Sequence, residues 1–271
     1  MHQAIAALLL VLLAADLARA DLKHRYSFND GTARDSVGEA DGVPINNPAI
    51  RHGQLIFDPA VNDGQNTDPN KGQYVKLPDG LLAHRAWTIE LWTTYRGGRP
   101  WQRIVDFGNS VPATEPEKLR NRFDGKGAER GRGFLAIMHN RQGYLAGQIS
   151  LASWGAHSDT DSAAAHQGLT LHRECHVVFT HDPELREQKL YVDGELVAAG
   201  LARVDARDTQ WNNCYIGRSQ FTWDPFYNGR VNELRIYDHA LSREEVQSSA
   251  AAGPDELPSA LDPPEPSADE S

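Results

Sequence analysis

From about residue 22 onward the chain is written in short runs in which apolar and polar positions alternate with a period of two. Each run is stopped by Gly, Pro, Asn or Asp, which is the pattern of half-buried β-strands joined by turns. The clearest run sets Trp87, Ile89, Leu91, Thr93 and Tyr95 against Thr88, Glu90 and Thr94, with Trp92 the one aromatic on the polar side. The pattern predicts strands over 24–28, 54–57, 73–77, 87–95, 102–107, 133–139 and 144–151, and again over 175–181, 188–192, 195–199, 214–217 and 229–237. Asp193-Gly194 between two β-rich runs supplies the positive φ angles of a type I′ hairpin turn. No helical period of useful length occurs before residue 241, so the fold class is all-β.

The stretch from Cys214 to Ser242 closes the pattern. Gly217 stops one short run, a polar and aromatic loop follows, and Gly229 opens a strand whose two faces are both mixed. Mixed faces predict a strand with one end buried and one wet. Ser242 stands three residues before Glu245, the spacing of a capping box, so a short helix should start there and end near Ala252, ahead of Gly253-Pro254. Three loops are long, 58–72, 108–132 and 152–170, and long loops in compact domains carry function or disorder.

The two ends of the chain differ from this body. Residues 1–20 read as a secretory signal, apolar from Ala4 to Ala15 with Ala18-Arg19-Ala20 before Asp21. The n-region has no Lys or Arg, so an uncleaved anchor is the competing reading, although a membrane span needs about 20 apolar residues. No later segment is apolar enough to span. Residues 253–271 hold six acids and no base among five prolines, a composition that predicts a solvated, disordered tail. The formal net charge of −10 is therefore mostly in the tail. The remaining 21–252, one domain, are only mildly acidic, which argues against nucleic acid as a partner.

Cys175 and Cys214 are the only cysteines, and an exported chain would meet an oxidising compartment, where a disulfide is the default. Closing that loop would stabilise by roughly 3 to 4 kcal/mol on the chain-entropy account. Two buried free thiols are the alternative.

The ordered pieces Tyr26-Ser27-Phe28, Asp35-Ser36-Val37-Gly38, Gln73 to Pro78, Trp87 to Trp92, His176 to Thr180, Leu190 to Gly194, Tyr215 to Arg218 and Gly229 to Leu241 resemble the laminin-G-like jelly roll of the concanavalin A-like lectin and glucanase superfamily, in its bacterial exported form. The resemblance implies a two-sheet antiparallel β-sandwich and, typically, a binding or adhesion module for glycans or protein surfaces. It also implies a structural Ca²⁺ held by backbone oxygens near Gly53 and by a side-chain oxygen from the last long strand, here Asn232. Asn keeps the carbonyl oxygen and drops the charge that a hard cation prefers. This family's Trp-His ahead of the His-Val strand is replaced, since Glu174 and Cys175 precede His176.

Catalysis finds less support in the residues. A retaining glycosidase of this superfamily needs carboxylates about 5 Å apart, which a Glu-x-Asp-x-Glu strand supplies, and that spacing is missing. An enzyme would have to use another carboxylate pair, and a structural surface component is a third reading. The oxygen-rich loop with Asp58, Asn62, Asp63, Asn66, Asp68 and Asn70 misses the calcium-loop pattern and reads otherwise as a polar turn cluster. His172 and His176 are four apart in a strand, where they cannot share a zinc. Aromatic rings remain as ligand contacts, because sugars stack on flat apolar faces: Trp154, Trp211, Trp223 and Tyr227 all lie in loops. Their alternative role is to cover sheet edges and corners.

Overall fold

The computed structural model describes residues 22–68, 70–108, 133–150, 160–208, 211–221 and 223–258. The strands are β1 (Leu22–Tyr26), β2 (Val43–Ile45), β3 (Ala49–Arg51), β4 (Gln54–Ile56), β5 (Tyr74–Leu77), β6 (Trp87–Tyr95), β7 (Arg103–Gly108) and β8 (Phe134–His139). They continue with β9 (Leu145–Ser150), β10 (Thr160–Ala164), β11 (Glu174–Asp182), β12 (Glu187–Val192), β13 (Glu195–Leu201), β14 (Asn213–Ile216) and β15 (Gly229–Tyr237), followed by helix α1 (Arg243–Ala252). One sheet runs β13-β12-β11-β6-β15-β4-β3, with β1 also on β15; the other runs β10-β9-β8-β7-β14-β5-β2. Every pairing is antiparallel.

The inner faces meet as the alternation demands. Trp87, Ile89 and Leu91 of β6 and Phe179 of β11 join Val105, Phe107, Leu135, Ile137 and Ile216 from the opposite sheet in one core. Gly147 of β9 is small because a Cβ there would lie 2.5 Å from the Phe179 ring. At the hairpin, Asp193 and Gly194 both have positive φ, as a type I′ turn requires. Ser242 accepts from the Glu245 N–H while Glu245 reaches back to the Ser242 N–H, so the capping box forms. Strands β2, β3 and β10 were not legible: they are short, and β10 reads Thr-Asp-Ser-Ala-Ala, without β-branched alternation.

The mixed faces of β15 do give one half-exposed end, at Arg230 and Asn232, and one buried end, toward Tyr237, where the outer face is covered too. Arg235 is fully buried there. It contacts Glu233 through Nε and Glu90 at 3.3 Å, and it lies over the Trp92 ring at 4.5 Å. Glu90 also receives His176 at 2.8 Å and the Tyr237 hydroxyl at 2.7 Å. Burial pushes the Glu90 carboxyl up, yet His176 and Arg235 outweigh it and hold it below the usual range. Helix α1 closes over this face with Val246 against Val178, Tyr191 and Tyr237. The chain after the helix, expected to start a free tail, is tied down as well: Arg235 donates to Glu256 O, Arg25 to Asp255 O, and Asp255 N to Glu233.

No disulfide links Cys175 to Cys214; both are free and buried. Each thiol points to a nearby carbonyl, Cys175 to Arg173 O and Cys214 to Trp211 O. The reason is lateral offset. Strand β11 lies across from β9, through Phe179 and Gly147, whereas the end of β14 lies across from β4, through Gly217 and Phe57. In the first sheet β11 and β4 are three strand spacings apart, roughly 14 Å, while a bridge needs Cα atoms within about 7 Å. Burial pushes both thiols up, which keeps them unreactive. Residues 1–21, with the expected signal, lie outside the described residues.

Two outcomes follow. Alkylation of the unfolded, unreduced chain should modify both cysteines, and a mass without added groups would show a bridge. Arg235→Leu should cost about 3 to 5 kcal/mol in urea unfolding, because it strands two buried carboxylates; a loss under about 1 kcal/mol would mean the cluster is not holding the outer face.

Candidate functional site

On the second sheet, Asp106 of β7, Phe134 of β8, Tyr215 of β14 and Tyr74 of β5 face away from the core, and a bulge between Arg103 and Val105, with Ile104 and Val105 both in the core, brings Arg103 to the same face. Residues 217–221 and 223–228 cross over them. This segment is fixed at many points. Gln220 N donates to Asp106 Oδ2 at 3.0 Å, Ser219 Oγ to Asp224 at 2.8 Å, and Arg103 Nη2 to Asp224 at 3.1 Å. Further on, Phe226 N bonds Asn66 O, Tyr227 N bonds Gly217 O, and Asn228 N bonds the Gln102 side chain. Arg103 is buried in a box of rings, 5.6 to 5.7 Å from the centroids of Trp101, Phe134 and Phe221, and Phe221 packs edge-on to Phe134.

The outcome of this anchoring is Trp223. Asp224 N closes a tight turn onto Phe221 O, and Trp223 stands in that turn with its ring 5.6 Å from the Phe221 ring. It is 52% exposed, more than any other tryptophan among the described residues. A broad ring held in place by a buried ion cluster presents a contact surface with little entropy left to lose on binding.

The other rings expected to meet ligand do not do so. Trp211 is 2% exposed, packed in the core with its indole N–H on Ala206 O. Tyr227 is fully buried, its hydroxyl 2.8 Å from Thr93 Oγ1, and burial pushes that hydroxyl up. In both, the loop position hid a side chain that turns inward to seal the sandwich. Trp154 lies outside the described residues. Arg103, Asp106 and Asp224 were not singled out from sequence. Their signal was an acid at the polar position of the apolar run Ile104-Val105-Asp106-Phe107.

Part of the expected calcium corner near Gly53 is committed to other contacts. Asn232 spends its amide N–H on Glu174 at 3.1 Å. The Gln54 side-chain oxygen, next to Gly53, accepts from the Arg230 guanidinium. The Arg230 guanidinium therefore lies beside the corner where a cation was expected, and among the described residues no three His, Cys, Asp or Glu side chains converge, although a site of backbone carbonyls and one Asn oxygen would not need them. In the loop from Asp58 to Asn70, Asp58, Asp63, Asn66 and Asp68 each cap backbone N–H groups two or three residues on, and Asn62 is buried on Gln73 and Tyr227. Those oxygens build turns.

Burial pushes Asp106 up to about 7, against the pull of Arg103 and the Gln220 N–H, and its Oδ1 has no hydrogen-bond partner. The folded chain then keeps a proton that the unfolded chain releases near pH 4, to within about a unit, so this group makes folding less favourable as pH rises through that window. Urea midpoints of the wild type, taken relative to Asp106→Asn, should fall from about pH 4 to about pH 7 and then level off. Parallel profiles for the two proteins would remove Asp106 from the account.

Comparison with known proteins places this geometry. Domain 4 of AbnA, a GH43 extracellular arabinanase from Geobacillus stearothermophilus seen in complex with arabinotriose, superposes with a TM-score of 0.53 at 18% identity, covering 84% of this chain and 98% of that one. Trypanosoma rangeli sialidase gives 0.52 at 17% identity, with 85% of this chain and 32% of that one covered. The binding domain of botulinum neurotoxin DC, in complex with SialylT, gives 0.52 at 10% identity, with 85% and 50% covered. The chain thus spans about a third of the sialidase and half of the toxin domain, and these likenesses show the fold. No curated protein sequence matches the chain. The laminin G family model, described as the concanavalin A-like lectin/glucanases superfamily, matches residues 69–247. That match spans well over half of the sequence, and the chain belongs to this superfamily.

Proposed function

We propose that the protein is an exported, non-catalytic binding module whose ligand is a glycan, taken on the outer face of the second sheet at Trp223. The observation that carries the reading is the exposed indole, tilted against Phe221 in the turn that the Arg103–Asp224 pair anchors. A sugar ring's apolar face matches such a platform. Solved neighbours of the same fold are seen with arabinotriose and with SialylT, which supports the ligand class without naming the sugar. The signal-like residues 1–20 support export.

An enzymatic reading would have to use Asp106 and Asp224, where two carboxylates converge. Both are buried beneath the loop and share one guanidinium, an arrangement that fixes a loop and offers no path to a glycosidic bond.

A glycan array should show binding by the full chain. Trp223→Ala should weaken it by about tenfold or more, the scale of one lost stacking contact, with an unchanged melting temperature. Sugar release in a polysaccharide hydrolysis screen would reverse the choice in favour of an enzyme, and silence on the array would leave a protein surface as the ligand.

A further inference from the structure

Arg96 and Arg230 meet on the outer face of the first sheet, at the end far from α1. Arg230 pairs with Thr94 of β6 and with Ile56 of β4. Arg96 extends the same ladder, its N–H on Asn228 O. Two residues beyond Thr94, its side chain falls on the same face as that of Arg230. Arg96 donates one bond, to Phe57 O at 3.1 Å. Arg230 reaches Gln54 Oε1 at 3.4 Å, and its buried Nε has no partner. Neither guanidinium forms an ion pair with any described carboxylate.

Two like charges side by side are costly. Burial and the Arg230 charge both push Arg96 down, while Tyr227 and Asp58 pull the other way. Asp58 acts on Arg96 from beyond ion-pair distance, and one of its oxygens caps the Ala60 N–H. The fully buried Arg235 of the same sheet has two carboxylates in ion-pair contact; the half-exposed Arg96 and Arg230 have none in ion-pair contact among the described residues. The N–H donors of two half-exposed guanidinium groups, set in planar forks, match the oxygens of a tetrahedral oxyanion.

We propose that Arg96 and Arg230 form an oxyanion site for a sulfate or phosphate group, separate from the Trp223 face and independent of it. The site takes the group either as a free ion or as an ester on a polymer, since the donors read only the oxygens.

The test is isothermal titration of the full chain with sodium sulfate and with sodium phosphate at ionic strength fixed by sodium chloride. The wild type should bind at least one of the two ions with saturation. Arg96→Gln and Arg230→Gln should each weaken binding by about tenfold or more, as loss of a charge-assisted bond predicts, while the exposed Arg186→Gln and Trp223→Ala leave it intact. Arg96 makes a single carbonyl contact, so Arg96→Gln keeps the test open should Arg230→Gln fold poorly. Dextran sulfate set against unsulfated dextran then separates the sources: a gain for the sulfated polymer over the free ion assigns the site to an ester, and equal affinity per sulfate assigns it to the ion. No saturable binding of either ion, or binding that survives both glutamine variants, overturns the proposal.

Discussion

A guanidinium buried between two carboxylates recurs on the outer face of each sheet, and the covering of both faces depends on it. Arg235 lies between Glu90 and Glu233 and over Trp92; Arg103 lies between Asp106 and Asp224 and among three rings. A cation enters such a place only when it is paired and hydrogen-bonded. The groups that complete each cluster come from chain segments that would otherwise lie free in water. Residues after α1 complete the first through Asp255 and Glu256, and residues 217–221 and 223–228 complete the second through Ser219, Gln220 and Asp224. Part of each sheet's outer face is therefore covered, and there the sandwich has more layers than its two sheets.

The two clusters are not equivalent, and hydrogen bonding explains the difference. Glu90 is fully buried, yet it takes bonds from His176, Tyr237 and Arg235, and its carboxyl stays below the ordinary range. Asp106 is as deeply buried, but one oxygen is unpartnered and Asp224 adds a second negative charge, so burial wins and its carboxyl rises. The first cluster is closed under a helix. The second supports a turn that lifts Trp223 into solvent. One device serves stability in one place and presentation in the other.

Strands with a strong period of two, such as β6, could be read directly, as could the Asp193-Gly194 turn and the Ser242–Glu245 cap. In each case the signal lies within a few neighbouring residues. Strands β3 and β10 carry too few β-branched or aromatic positions to stand out, β2 is three residues long with Pro44 at its centre, and all three are held by their neighbours. Trp211, Tyr227 and Trp223 are indistinguishable as loop aromatics, and only the packed structure shows that the first two turn inward.

Local alternation, turn chemistry and capping fixed the all-β class, most strand positions and the terminal helix, because these depend on residues close together in sequence. Which polar side chains would be buried was decided by tertiary structure alone. The partners of Arg235 and Arg103, the separation of Cys175 from Cys214, and the pairing of Arg96 with Arg230 all depend on strand order across two sheets. Burial energy follows from the surroundings that order creates, and a one-dimensional pattern carries no record of what packs across the sheet.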